Sequence, residues 1–84
     1  MPPWRIEWSE QAREDVRRLD RATALRIFEG VLHCARTGAG DVEPLHGPMA
    51  GSFRLRIADY RVVFRLVDDV MRISGVRHRS EAYR

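Results

Sequence analysis

The sequence predicts an α+β domain: a small, mostly antiparallel four-stranded sheet with an N-terminal helical hairpin packed on one face. Two observations carry this prediction. Apolar and charged residues alternate in residues 4–8 and again from residue 53 onward, which is the period of strands that bury one face. Between these stretches the apolar spacing changes to the period of an amphipathic helix. The predicted order is β-α-α-β-β-β with a short C-terminal tail.

Length and composition limit the possibilities. We expect the 84 residues to form a single domain, 1–84, with one thin core. No apolar run approaches the roughly 18 residues of a membrane span, and the N-terminus does not resemble a signal peptide. We therefore expect a cytoplasmic protein without membrane contact. The single cysteine, Cys34, excludes an internal disulfide, and we expect neither a metal nor another cofactor.

The N-terminal half is predicted to form one strand and two helices. The core-facing residues of the strand are Trp4, Ile6 and Trp8. Ser9 and Asp20 are suited to cap the two helices, and Gly38 is suited to end the second. The inward stripe of the first helix is Ala12, Val16 and Leu19. The inward stripe of the second helix is Leu25, Phe28, Val31, Leu32 and Ala35.

The connection from residue 38 to residue 51 is rich in glycine and proline, and it predicts a surface loop. Leu45 is expected to pin this loop to the domain. His46 carries no specific functional signal at this level.

The C-terminal half predicts two linked hairpins. If Ala58-Asp59 forms a two-residue turn, the pairs on the core side are Ile57 with Tyr60, Leu55 with Val62, and Phe53 with Phe64. The pairs on the other side are Arg56 with Arg61 and, after a turn at Asp68-Asp69, Arg65 with Arg72. Strict alternation would send Arg77 into the core. We therefore predict a bulge near Ser74-Gly75 that returns Arg77 to the other side.

Positive charge is concentrated in that half. Residues 1–50 hold seven arginines against eight acidic residues, a net of −1, whereas residues 51–84 hold eight against four, a net of +4. The arginines predicted for the sheet side opposite the core are Arg54, Arg56, Arg61, Arg65, Arg72, Arg77 and Arg79. Like charges paired across strands cost up to about 1 kcal/mol, so this arrangement indicates an anion-binding face.

The spacing of the arginines indicates which anion. Strands place alternate side chains about 6–7 Å apart, close to the phosphate spacing of an extended single strand. Tyr83 adds an aromatic ring, and arginines beside a stacking aromatic are typical of single-stranded RNA binding. This prediction requires that the guanidinium groups share one side of the sheet and are not each neutralised by a carboxylate.

Three segments resemble the RelE/ParE superfamily of toxins from bacterial type II toxin–antitoxin systems. They are L-x-G at 45–47, G-S-F-R-L-R-I-A-D-Y-R-V-V-F at 51–64 and V-R-H-R-S-E-A-Y-R at 76–84. The resemblance spans most of the chain and favours the RelE-like branch. That branch cuts messenger RNA on the ribosome without metal, through attack of the ribose 2′-hydroxyl on the adjacent phosphate.

The resemblance implies a role for each matching residue. The expected catalytic residues are Arg56, Arg61, Arg77 and Tyr83. The expected RNA-binding residues are Arg54, His78 and Arg79. Relatives often carry lysine where Arg54 and Arg56 stand, and arginine does not take a proton. The general base is therefore left open between His78, Tyr83 and the RNA of the ribosome.

The implied function is that of an endoribonuclease toxin, an mRNA interferase that inhibits translation. The expected partners are a cognate antitoxin, the ribosome and messenger RNA, with operator DNA contacted only through the antitoxin complex. Two alternatives remain open. One is a ParE-like inhibitor of DNA gyrase, and the other is an inactive homologue that only binds its antitoxin.

Overall fold

The computed structural model describes residues 1–81, in which two α-helices accompany a five-stranded sheet. The elements in chain order are β1 (Arg5–Trp8), α1 (Glu10–Arg17), α2 (Arg21–Thr37), β2 (Val42–Pro44), a 3-10 turn (Gly47–Met49), β3 (Phe53–Ile57), β4 (Tyr60–Val67) and β5 (Val70–His78). The strand order is β1-β5-β4-β3-β2; β1 runs parallel to β5, and the other neighbours are antiparallel. The predicted fold class and element order are confirmed. The sheet has five strands rather than four, because β2 forms inside the segment predicted as a loop.

The predicted ends of both helices are present. Ser9 Oγ accepts a hydrogen bond from the Ala12 N–H (3.0 Å), and Asp20 Oδ2 accepts one from the Thr23 N–H (3.2 Å). The Thr23 hydroxyl also donates to Asp20, and these bonds hold the pKa of the Asp20 carboxyl below its usual value. Gly38 ends α2 with a φ of 76°, in the left-handed region. Neither α1 nor α2 is long and apolar enough to cross a membrane.

The face of α2 that packs on the sheet differs in part from the predicted one: Val31 and Ala35 are buried as predicted, whereas the other three predicted residues are not. The buried residues of α2 are Ile27, Val31, Cys34 and Ala35. Leu25, Phe28 and Leu32, which were predicted to face inward, are 57%, 45% and 47% exposed. The helix carries two neighbouring apolar stripes, and close packing selects between them. A Cβ at Gly30 would lie 2.5 Å from Ile57 Cδ1 of β3, so the glycine side of α2 rests against the sheet.

The predicted register of the C-terminal strands is confirmed. On the core side Leu55 lies opposite Val62 and Phe53 opposite Phe64. On the other side the arginine pairs are Arg56 with Arg61 and Arg65 with Arg72.

The predicted bulge is also present. Val63 pairs with Gly75 and Phe64 with Ile73, so that Ser74 is the extra residue. Beyond the bulge, Arg77 pairs with Arg61. One inserted residue therefore sets the side of the sheet on which Arg77 lies.

Helix α1 covers a stretch of β5 that no strand pairs on that side. β1 pairs only with residues 70–73 of β5. Beyond them, Ser9 Oγ donates to the Ser74 carbonyl (3.1 Å), and the Val76 N–H donates to Asp15 Oδ2 (2.9 Å). Asp15 is only 6% exposed. Side chains of α1 and its cap thus satisfy polar groups of a strand edge that would otherwise be open to another chain.

The corrected face of α2 can be tested with two matched truncations. Ile27→Ala should lower the free energy of unfolding by about 2–5 kcal/mol, because it opens a cavity in the core. Leu25→Ala removes a more exposed side chain of the same size and should cost less than about 1 kcal/mol. Urea denaturation measures both values. Equal losses for the two variants would contradict the assignment of the buried face.

Candidate functional site

A cavity of about 340 Å³ opens on the side of the sheet that faces away from α2. Arginines from three adjacent strands line it: Arg54 of β3, Arg61 of β4 and Arg77 of β5. The other lining residues in the described part of the chain are Leu45, His46, Met49, Val63 and Glu81. Three guanidinium groups therefore meet in one concave site, although they are separated in the sequence.

Arg61 is the most deeply buried of the three arginines, at 5% exposure. It stands opposite Arg56 on β3 and opposite Arg77 on β5, so a row of three arginines crosses the sheet. Like charges in such a row repel one another, and the repulsion is least screened where a group is buried. A bound anion would relieve it.

Arg54 is held by Glu43 and is largely buried. One of its terminal nitrogens lies 3.0 Å from Glu43 Oε2 on β2, and its side chain is 16% exposed. Its other terminal nitrogen is buried and has no hydrogen-bond partner among residues 1–81. A buried donor left without an acceptor costs about 1–3 kcal/mol. Arg54 therefore lines the cavity with a guanidinium group that Glu43 orients and that carries one buried nitrogen without an acceptor in this part of the chain.

Arg77 is positioned by α1. Its Nη1 lies 3.9 Å from Asp15 Oδ1, and the same oxygen accepts a hydrogen bond from Gln11 Nε2 (2.9 Å). The Arg77 side chain remains 47% exposed and accessible from the cavity. Sequence reasoning missed Asp15, although a signal was available. Asp15 directly precedes Val16, which belongs to the stripe predicted to face inward. An acidic side chain that is buried next to that stripe needs a hydrogen-bonding partner.

The other arginines predicted for this side of the sheet lie outside the cavity lining. Arg56 and Arg79 are exposed. Arg65 donates from Nε to Ser52 Oγ and from Nη2 to the Ala50 carbonyl, both at 3.1 Å.

Arg72 lies 3.5 Å from Glu7. Together with Arg54 and Arg77, it is one of three arginines of the predicted face that have a carboxylate within 4 Å in the described structure. The face is therefore partly neutralised.

His78 does not line the cavity of three arginines, but it lines an adjoining cavity that shares Arg77 and Glu81 with it. Its ring packs edge-on against Tyr60, with 5.2 Å between the centroids, and its Nδ1 accepts from the Ser80 N–H (3.2 Å). It lines a second cavity, together with Asp15 and Leu19. Tyr83, the predicted stacking residue, lies outside the described residues.

His46 does line the cavity of three arginines, and sequence reasoning did not anticipate it. Its place depends on how the connection between β2 and β3 folds back over the sheet. The Leu45 N–H donates to the Ser52 carbonyl (2.8 Å), which ties the two ends of that connection together. No local pattern around His46 indicates this contact.

Residues 1–81 contain no group of three or more His, Cys, Asp and Glu side chains placed to hold a metal ion. Cys34 is buried in the core, and burial raises the pKa of its thiol. A protonated, enclosed thiol is a poor nucleophile.

The role of Asp15 can be tested by truncation. Asp15→Ala should lower the free energy of unfolding by about 1–3 kcal/mol, because the buried Val76 N–H loses its acceptor. The exposed neighbour Glu14 supplies the control, and Glu14→Ala should stay within about 0.5 kcal/mol of the parent. Urea denaturation compares the two. A loss for Asp15→Ala no larger than that for Glu14→Ala would contradict the assignment.

Comparisons with known proteins agree with this architecture. The model of a family described as "ParE toxin of type II toxin-antitoxin system, parDE" matches residues 6–83. The toxin–antitoxin complex RelBE2 of Mycobacterium tuberculosis contains a similar chain, with a TM-score of 0.83, 25% identity, and coverage of 92% of this chain and 99% of that one. A chain of the YoeB-YefM complex of Staphylococcus aureus has a TM-score of 0.74 and 25% identity, with coverage of 89% of this chain and 95% of that one. A chain of the archaeal RelE-RelB complex of Pyrococcus horikoshii has a TM-score of 0.78 and 24% identity, with coverage of 96% of this chain and 100% of that one. No curated protein sequence matches the chain.

Proposed function

Because the chain belongs to the family of ParE toxins of type II toxin–antitoxin systems, we propose that this toxin is a ribosome-dependent endoribonuclease. The substrate is messenger RNA, and the reaction is attack of a ribose 2′-hydroxyl on the adjacent phosphate, without metal. The observation that carries the proposal is the cavity in which Arg54, Arg61 and Arg77 meet. The likeness to the RelBE2 and YoeB-YefM proteins supports it.

In this mechanism the scissile phosphate occupies the cavity. Negative charge on its non-bridging oxygens increases as the 2′-oxygen bonds to phosphorus. Arg61 faces this charge from the floor of the cavity, while Arg54 and Arg77 face it from the flanking strands. Glu43 and Asp15 already hold two of the guanidinium groups in place. Cations fixed before the reaction stabilise the transition state without reorganising.

The arginines outside the cavity extend the positive surface along the strands. Arg56 adjoins the cavity through Arg61, and Arg65 and Arg72 form the second pair on the same side of the sheet. We assign these side chains to flanking phosphates. Tyr83 is expected to stack on a base, as its place in the superfamily motif implies.

The proposed partner that controls the activity is a cognate antitoxin. The solved relatives from Mycobacterium tuberculosis and Staphylococcus aureus are complexes with antitoxins. An antitoxin for this chain should present acidic residues to residues 51–84, which carry a net of +4. Operator DNA would be contacted only through that complex. Action on ribosomes implies a cytoplasmic protein.

A second candidate function is inhibition of DNA gyrase through protein contact. The description of the matched family favours it, because the ParE branch is the one that acts on gyrase. The exposed apolar stripe of Leu25, Phe28 and Leu32 offers a surface for such a contact. A homologue that only binds its antitoxin would show neither activity.

The arginine cavity is tested by Arg77→Ala. Loss of one fixed cation should lower the rate of messenger cleavage about 10²–10³-fold. The control is Arg26→Ala, which removes an exposed arginine from α2 and should leave the rate unchanged. The assay maps new 5′ ends on ribosome-bound messenger, and circular dichroism confirms folding. A folded Arg77→Ala protein that cuts at the parental rate would contradict the proposed site.

The two candidate functions differ in what they damage in the cell. After brief expression, an endoribonuclease should fragment messenger within coding regions and leave plasmid supercoiling unchanged. A gyrase inhibitor should give relaxed plasmid and intact messenger. Gel analysis of plasmid and RNA from the same culture separates the two. Intact messenger at a toxic dose would refute the endoribonuclease proposal.

A further inference from the structure

The proposed cleavage needs a group that takes the proton of the 2′-hydroxyl, and the three arginines of the cavity do not accept protons. Two lining residues in the described part of the chain can do so, His46 and Glu81. An imidazole ordinarily titrates near pH 6.5, closer to neutral pH than a carboxylate does. Catalysis by a base is most efficient when its pKa lies near the working pH. His46 is therefore the better candidate.

The position of His46 suits the role. The strand order places β3 and the connection that carries His46 on one side of the cavity, and β5 with Glu81 on the other. His46 begins the 3-10 turn, and its carbonyl accepts from the Met49 N–H (3.3 Å). Its side chain is exposed at the rim, while Arg61 lies buried at the floor. The imidazole and the three guanidinium groups therefore border the same cavity.

The alternative imidazole, His78, is less suitable. It lines the other cavity, and its ring is packed against Tyr60. Its Nδ1 already accepts from the Ser80 N–H and contacts Ser80 Oγ (2.9 Å). These contacts engage Nδ1 of His78, and His46, unlike His78, is among the residues that line the arginine cavity itself.

We propose that His46 is the general base of the cleavage, an inference that rests on the proposed function. His46 takes the proton from the 2′-hydroxyl as the 2′-oxygen forms its bond to phosphorus. The bond from phosphorus to the 5′-oxygen breaks, and the departing 5′-oxygen takes a proton from water. The products are a 2′,3′-cyclic phosphate and a free 5′-hydroxyl. His46 then returns its proton to water, so no co-reactant is consumed.

The expected signature is a change in pH dependence. Within residues 1–81, the charged groups that line the cavity with His46 are Arg54, Arg61 and Arg77 of the three strands and Glu81 of the turn after β5. None of the arginines titrates near neutral pH. In the parent, kcat/KM for ribosome-bound messenger should fall on the acidic side as the imidazole becomes protonated. In His46→Gln that acidic limb should disappear, and the rate should drop about 10²–10⁴-fold.

Three measurements separate catalysis from structure. His33→Gln, an exposed histidine of α2, should keep both the rate and the pH profile of the parent. His46→Gln should bind ribosomes programmed with a messenger that carries 2′-deoxyribose at the cleavage site as tightly as the parent does. Added imidazole should restore part of the activity of His46→Ala.

Two results would overturn the assignment. One is a His46→Gln protein with the parental rate and acidic limb. The other is a slow variant that keeps the acidic limb and whose alanine counterpart is not rescued by imidazole, which would indicate a structural role. A parent protein that leaves ribosome-bound messenger intact would instead refute the proposed function, and the base assignment with it.

Discussion

The irregularity of β5 at Ser74 is the constraint on which the arginine cavity depends. Side chains alternate between the two sides of a strand, so without the extra residue Arg77 would point into the core. Asp15 accepts the Val76 N–H just beyond the irregularity and lies near Arg77. Gly75 lies beside both side chains, since a Cβ there would make ordinary van der Waals contacts at 3.4 Å from Asp15 Oδ2 and 3.8 Å from Arg77 Nε. A backbone feature and a buried carboxylate thus bring the third cation to the site.

Two of the three positive charges of the cavity are partly neutralised by nearby carboxylates. Glu43 and Asp15 reach Arg54 and Arg77 from elements at the margins of the site, β2 and α1. These contacts reduce the repulsion that three neighbouring guanidinium groups impose on folding. They also leave parts of both side chains facing the cavity. The acidic residues therefore orient two of the three cations without covering them.

Local patterns were sufficient to predict the strands and the helix ends. Alternation fixed the pairing of β3 with β4, and the need to keep Arg77 out of the core indicated the irregularity in β5. The face of α2 could not be read in this way, because two apolar stripes lie side by side. The choice between them depends on the contact of Gly30 with Ile57, which is distant in sequence. The positions of Asp15 and His46 likewise depend on tertiary packing. Only Asp15 could have been noticed in the sequence, because it stands next to an inward-facing residue of the predicted helix.

The enclosed thiol of Cys34 has a practical consequence. It is the single sulfhydryl of the chain, and it lies on the buried face of α2 at 1% exposure. A cysteine-directed alkylating reagent can modify it only when the helix separates from the sheet. The rate of alkylation in the native protein therefore reports how often α2 opens away from the sheet. Local unfolding of the core can be followed in this way without an added label.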